Sequence, residues 1–296
     1  MNAFPMRGSD TSRAIVMTLI GSALLSLNDA LLKFLVDVLP TGEIMFVRGI
    51  LMMIPIGILA WRARGTAALR IQDLKRQIGR GVALALSTYT FIFALKFMPL
   101  ADAEAVLFST PLIVAVLARP MLGEQVTPAR LIAVIGGLIG VVLILQPGGA
   151  LGWFIVVPAF SAVALAFSEI WTRRLSGTDG GIAILAFTTA LVGLSGVLSL
   201  PWGWEPIGWR ELGLMTACAV LMGGAHFLFI EAMRLAEASV VVPFKYSVML
   251  WAVAFGFLFW RELPVAAVAA GGALVIACGL FLWQSEIRRR RRAAPN

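Results

Sequence analysis

The chain has 296 residues, 60% of them hydrophobic and 14% charged, with a formal net charge of +8. An ordinary soluble domain is roughly 45–50% apolar, so this composition, with a mean hydropathy of +0.92, is that of an integral membrane protein. A nucleic-acid binder would gather its basic residues on one solvated face, and here they are dispersed among apolar runs; Cys218 and Cys278 both lie inside such runs, where a thiol packs as a small hydrophobe.

Residues 1–13 are polar and lead into an apolar run without a small-residue cleavage pattern, so the first helix is expected to be retained. Crossing about 30 Å of hydrocarbon takes about 20 residues. Runs of that length fall at 14–36, 41–61, 80–98, 101–122, 128–146, 152–174, 181–200, 211–233, 238–260 and 264–285. Helix punctuation marks the joints: Pro40 before Thr41, Thr127 before Pro128, the run Gln146 to Gly149, and Pro264. The expected fold class is all-α and membrane-integral, with ten transmembrane helices in antiparallel hairpins. The loop at 62–79 mixes apolar and basic residues and is expected to lie along the membrane surface.

Basic residues are retained on the cytoplasmic side. One assignment puts Arg7, Arg13, Arg62, Arg64, Arg70, Lys75, Arg76, Arg80, Arg119, Arg130, Arg173, Arg174, Arg234 and the run Arg288 to Arg292 inside. It leaves only Lys33, Lys96, Arg210 and Arg261 outside, and Arg48 and Lys245 within spans. Both termini are therefore expected in the cytoplasm, in a bacterial-type inner membrane, with lipid headgroups as partners of the basic tail. Tryptophans at the span ends, such as Trp61, Trp153, Trp209, Trp260 and Trp283, agree.

The stretch 94–124 recurs at 232–262, with Ala94 on Ala232, Lys96 on Arg234, Ser109 on Ser247 and Glu124 on Glu262. Asn28, Asp29 and Lys33 likewise find Ser168, Glu169 and Arg173. The chain divides into a five-helix repeat at 1–147 and a second at 148–296. An odd number of spans per copy forces the second to enter the membrane from the opposite side. Inverted repeats supply two pseudo-equivalent conformations about a midplane site, the arrangement from which alternating access follows.

Several polar residues are expected to serve that site. Thr18, Ser22, Ser26, Asp29 and Lys33 share one helical face, which either packs against other helices or lines an aqueous cavity. Asp29 with Lys33, and Glu169 with Arg173, are spaced for intrahelical pairs and would flank the two mouths of the pathway as gating or coupling groups; plain structural ion pairs are the other reading. Arg48 would pair with an acid such as Glu43. Lys245, between Phe244 and Tyr246, either snorkels or anchors a substrate carboxylate. Pro243 and Pro111 would free the carbonyls of Ser239 and Leu107 and open their helices. His226, the only histidine, either packs or contacts substrate. Tyr89, Phe93, Phe108, Trp171 and Tyr246 are candidate apolar walls, with Asn28, Ser109 and Ser247 as polar contacts.

The Ala94-Leu95-Lys96 and Ala232-Met233-Arg234 openings, Pro111, the Glu124 and Glu262 ends, and the glycines Gly136, Gly137, Gly140, Gly271, Gly272 and Gly279 carry a further likeness. The chain resembles the drug/metabolite transporter superfamily, in its ten-helix EamA-domain branch, with YddG-like amino-acid exporters nearest. Met249 stands where a proline would match Pro111, and Arg261 where a glycine would match Gly123. The resemblance implies export of small metabolites, most of all aromatic or other apolar amino acids, through a cavity between the halves. Export of amphipathic cations is the alternative. An enzyme acting on lipids would call for clustered Asp, His or Cys, so no enzyme, cofactor or metal is expected. A phosphate-binding Gly-x-x-x-x-Gly-Lys-Ser/Thr pattern is missing, which leaves facilitated diffusion or proton exchange as the energy source. The protein would act as a monomer or homodimer.

Overall fold

A computed structural model describes residues 8–63, 65–122, 128–145, 156–175, 178–235 and 244–293. Among them are eleven α-helices and no strand: α1 (Gly8–Val36), α2 (Thr41–Ala63), α3 (Leu74–Leu95), α4 (Leu100–Leu107), α5 (Thr110–Leu122), α6 (Pro128–Leu145), α7 (Val156–Leu175), α8 (Gly181–Ser195), α9 (Trp209–Leu235), α10 (Ser247–Trp260) and α11 (Ala266–Ala293). Among the described residues five helices are long and apolar enough to cross a membrane, and α6, α7, α10 and α11 carry shorter apolar stretches. With α4 and α5, two pieces of one broken span, they make the ten spans expected. The boundary between the proposed repeats, at 147 and 148, lies outside the described residues.

Two expected boundaries shift. Asp73 accepts a hydrogen bond from the Arg76 amide at 3.1 Å and starts α3 at Leu74, ahead of the expected 80; a carboxylate at an N-cap satisfies amides that have no partner inside the helix. The loop expected on the membrane surface is thereby reduced to a short 3₁₀ turn, Gly65–Leu69, and a few residues more. At the other end of the chain, α11 carries the arginine run as helix out to Ala293.

The packing is polar inside and apolar outside. Thr18, Ser22 and Ser26 have no exposed surface, whereas Ile132, Ile135, Leu138, Ile139 and Val142 of α6 are all exposed at helical spacing. In water that distribution would be untenable; in lipid it places the hydrocarbon-like face against hydrocarbon and leaves polar groups to hold helices together.

The contacts follow the exchange of the two halves. If α1, α2, α3, α4/α5 and α6 correspond to α7, α8, α9, α10 and α11, then the α1–α9 contact has its counterpart in α7–α3, α1–α10 in α7–α5, and α3–α8 in α9–α2. The remaining large seams, α2–α8, α6–α11 and α4–α10, each join an element to its own counterpart. Close approach makes two of these seams possible. A Cβ on Gly49 of α2 would stand 2.7 Å from the Gly193 Cα of α8, and one on Gly140 of α6 would stand 2.8 Å from the Gly271 carbonyl of α11. Small residues of this kind let membrane helices approach to backbone contact.

Candidate functional site

Both copies of the 94–124 stretch are interrupted at matching places. In the first, α4 ends and α5 begins around Phe108 and Ser109. Pro111 contributes by having no N–H to offer Leu107, and the Leu107 carbonyl is taken by the Thr110 hydroxyl at 2.7 Å. Val106 accepts both the amide and the hydroxyl of Ser109, at 3.0 and 2.7 Å. In the second copy α10 begins at Ser247, directly after a turn at Tyr246. Pro243 and the Ser239 carbonyl, expected to open this helix, lie outside the described residues. The interruptions meet: the rings of Phe108 and Tyr246, equivalent positions of the two copies, lie 5.4 Å apart. Ser109 and Ser247 are both buried beside them. Irregular backbone at membrane depth is tolerated where it is buried in protein or lines a cavity.

Beside this junction sits a cluster of charge. Asp29 of α1 lies beside Glu104 of α4, and the Asn28 amide nitrogen donates to the Asp29 carboxyl at 2.9 Å. Arg48 of α2 faces Asp29. Its Nη2 lies 3.3 Å from the Met222 sulfur of α9, and Cys218, one turn before Met222, donates to the Asn28 carbonyl at 3.8 Å. Asp29, Glu104 and Arg48 are each more than nine-tenths buried. Around them Ser22 Oγ, Ser26 Oγ, Asn28 Oδ1 and Arg48 Nη1 are buried with no hydrogen-bond partner. Native structures leave few buried polar groups unpaired, so several in one place mark a site that receives a polar guest.

A second charged group closes the end of the bundle at the α1 C-terminus. Lys33 Nζ bonds both Glu262 oxygens, at 2.9 and 2.6 Å. It also lies 4.8 Å from the centre of the Trp260 ring, which stacks on Phe34 at 4.4 Å. Asp102 faces both members of the ion pair.

These contacts correct two expected pairings, those of Lys33 and Arg48. Lys33 pairs with Glu262 of the other half, not with Asp29 four residues earlier. Arg48 faces Asp29, while Glu43 accepts from the Glu205 amide at 3.1 Å. Glu169 interacts with Lys245 and Tyr246; the Arg173 side chain lies outside the described residues.

Of the candidate binding residues, Lys245 stands over the Phe229 ring at 4.7 Å with Glu169 near it. His226 lies between Lys245 and Arg48 electrostatically, with its Nδ1 2.8 Å from the Met222 carbonyl. Lys245, Tyr246, Ser247, Phe108, Ser109, Asn28 and His226 thus lie on the elements that meet at the two charged groups and the junction. Three aromatics differ. Phe93 is 43% exposed and pairs with Phe97 on the outer surface. Trp171 rests against Gly79 in the α3–α7 seam. Tyr89 packs on the edge of the apolar core. A crevice of about 210 Å³ between α2 and α8, lined by Phe46, Gly49, Met53, Thr189 and Leu194 among others, is apolar and touches none of these candidates.

Glu104 and Asp102 had not been singled out from the sequence. Their signal is two acids, two residues apart, at the head of an otherwise apolar run; charge at that depth is costly and by default functional.

A multipass helical bundle with interrupted helices meeting at its centre, and with charged and unpaired polar groups buried around that meeting, defines a membrane transporter of small solutes. The profile of the EamA-like transporter family matches residues 12–146. A riboflavin transporter of Rhizobium johnstonii is 30% identical over 232 residues, covering 78% of this chain and 77% of its own length. The chain belongs to the EamA-like transporter family, within the drug/metabolite transporter superfamily. It is also similar to the pseudopaline exporter of Pseudomonas aeruginosa, 28% identical over 92% of this chain and 96% of that one. An S-adenosylmethionine uptake transporter of Rickettsia conorii is 25% identical over 93% and 96%. A crystal structure of 21% identity superposes with a TM-score of 0.62, covering 98% of this chain and all of the other, and shows the same fold.

Proposed function

We propose that the protein exports an amino acid, aromatic or otherwise apolar, by alternating access between its two inverted repeats, residues 1–147 and 148–296. The carrying observation is the meeting of Phe108 and Tyr246 at the two interruptions, with cations and acids on either side. A zwitterion with an apolar side chain has one group for each: its carboxylate for Lys245 or the unpaired Nη1 of Arg48, its ammonium for Asp29 and Glu104, its side chain for the two rings. Relatives named for riboflavin, pseudopaline and S-adenosylmethionine support a cargo of small-metabolite size. The excess of basic residues on one set of loops supports cytoplasmic termini in the inner membrane, and the pseudopaline exporter among the relatives supports the outward direction.

In this reading Lys33 with Glu262 closes one mouth. Arg173, the register equivalent of Lys33, serves the opposite mouth together with Glu169, the equivalent of Asp29, and Lys245 reads the carboxylate.

The test is flux of labelled L-phenylalanine in proteoliposomes. Saturable flux, competed by apolar amino acids and not by their amides, is expected, with Lys245→Ala raising KM about tenfold, the loss of about 1.4 kcal/mol of carboxylate binding. Competition by tetraphenylphosphonium but by no amino acid would replace this reading with export of amphipathic cations. That second reading draws its support from the acids, Asp29, Glu104 and Asp102, that line the same region.

A further inference from the structure

Arg80 of α3 ties three helices together and still has hydrogen-bonding capacity to spare. Its Nε donates to the Thr172 hydroxyl of α7 at 2.6 Å, and its Nη1 donates to the Thr188 hydroxyl of α8. A guanidinium carries five N–H donors in a planar fork, so Nη2 is left over among the described residues. No carboxylate lies within ion-pair distance of it there. The two threonines, whose own hydroxyls donate to the Ser168 and Ile184 carbonyls, bring only neutral oxygens. Withdrawing a cation from water without a counter-charge is costly, so an anion is the missing partner.

Helical spacing says where the free nitrogen points. Leu74, Ile78, Val82 and Leu86 are exposed and form the lipid face of α3; Arg80 stands on the opposite side of that helix. On α7 the lipid face is Val156, Phe160 and Val163, and Glu169 and Thr172 lie on the far side. Glu169 is exposed all the same, so the inside of the bundle is open to solvent one turn from the Arg80 partner Thr172.

The repeat supplies an independent observation. Thr188 is the counterpart of Arg48, 140 positions earlier. Each lies seven residues into its helix, from Gly181 and from Thr41, or about 10 Å from opposite sides of the membrane. The α3–α8 seam bridged by Arg80 is the exchange partner of the α9–α2 seam, which Arg48 bridges through Met222. Arg48 too keeps a nitrogen without a partner, Nη1, and has no carboxylate within ion-pair distance among the described residues. Each of two exchange-related seams therefore holds one guanidinium with a free nitrogen, although the two arginines come from helices that are not equivalent.

We propose that Arg80 is an anion-binding position on the cytoplasmic side of the pathway, where it takes the carboxylate of the cargo ahead of Lys245, with Arg48 as its counterpart towards the outer side. The recognised chemistry is a carboxylate attached to an apolar group, bound by charge-assisted hydrogen bonds. The proposal rests on the export reading above for the identity of the cargo.

The first experiment needs no transport, so its failure is distinct from a failure of that reading. Phenylglyoxal modifies guanidinium groups, and mass spectrometry of peptides from the full-length protein in lipid nanodiscs identifies the modified residue. 3-Phenylpropanoate, a carboxylate with an aromatic group and no ammonium, should slow modification of Arg80 about tenfold once its concentration exceeds its Kd tenfold; 3-phenylpropanamide should not. Arg76, on the same helix and paired with Asp73 at 3.0 Å, should react at one rate throughout. An Arg80 that phenylglyoxal does not reach, or that acid and amide leave equally reactive, overturns the proposal. Protection by inorganic phosphate but not by 3-phenylpropanoate also overturns it, by making this a site for simple anions. Protection without any phenylalanine flux upholds the site and counts against the amino-acid cargo instead. The second experiment separates anion binding from the tying of helices. Lysine restores the charge but cannot bond both threonines, so Arg80→Lys should keep the KM for L-phenylalanine within about twofold of wild type, while Arg80→Gln raises it about tenfold at unchanged kcat. A KM raised equally in both, with equal falls in melting temperature, would make Arg80 a tie between helices and nothing more.

Discussion

Asp179, in the turn between α7 and α8, shows how a single carboxylate fastens two loops. Burial alone would raise its pKa, but hydrogen bonds from the Gln77 side chain at 2.8 Å and the Gln72 amide at 3.0 Å, with others from Asp73 and Thr178, hold the carboxyl below its ordinary 3.8. A depressed folded-state value means that the carboxylate stabilises the fold above the unfolded value and ceases to do so as pH falls through the folded one. Asp179→Asn should therefore lower thermal stability in detergent at pH 7 by about 1 kcal/mol, and the gap from wild type should close below about pH 3.8. A gap independent of pH would show that shape, not charge, holds this turn. The residue scale also shows where sequence reading stops. Burial of Asp29, Arg48 and Lys33 was legible, because charge inside an apolar run must face protein. Their partners were not: spacing suggests neighbours one turn away, whereas Lys33 reaches a residue 229 positions on. Pairing across that distance is decided by how helices pack, which no local pattern encodes.

At the scale of elements, the interruption of the fourth span was legible in Pro111, whose chemistry requires a free carbonyl upstream. The matching interruption at Tyr246 has no proline at the equivalent place, Met249, and the expectation of an opened helix there came from Pro243, which lies outside the described residues. Arg261, the one sequence departure at the end of α10, acquires a physical meaning. It is the only non-glycine residue with positive φ among the described residues, at φ 59°. Its amide returns to the Phe257 carbonyl at 3.0 Å, and the Glu262 amide to Gly256 at 3.2 Å, so the left-handed turn ends the helix and aims Glu262 at Lys33. Glycine adopts that conformation without the crowding that a Cβ brings, about 1–2 kcal/mol. Arg261 recovers part of it by laying its guanidinium 5.2 Å from the Phe257 ring. Arg261→Gly is expected to raise thermal stability, by about 1 kcal/mol, and to leave the Lys33–Glu262 pair formed. A fall in the melting temperature would mean that the ring contact outweighs the strain.

For the whole molecule, the proposed alternating access requires two packings of similar energy, and a tie formed in one of them sets the balance. The Lys33–Glu262 pair, which joins α1 to the end of α10 at 8% and 30% side-chain exposure beside the Phe34–Trp260 stack, is the candidate for that tie at one mouth. Interfaces of this kind are bistable rather than deformable, so weakening the tie should redistribute two states instead of loosening one. Glu262→Gln removes the charge and keeps the shape. If it costs the closed form about 1 kcal/mol, the population open at that mouth rises about fivefold. Asn28→Cys, in a background with Cys218 and Cys278 replaced by alanine, places a reporter inside that mouth. Its labelling by a membrane-impermeant maleimide, applied from the side of the α1 C-terminus, should accelerate by the same factor in Glu262→Gln. Labelling at an unchanged rate would assign the pair to static packing and leave the Phe34–Trp260 stack as the element that closes the mouth.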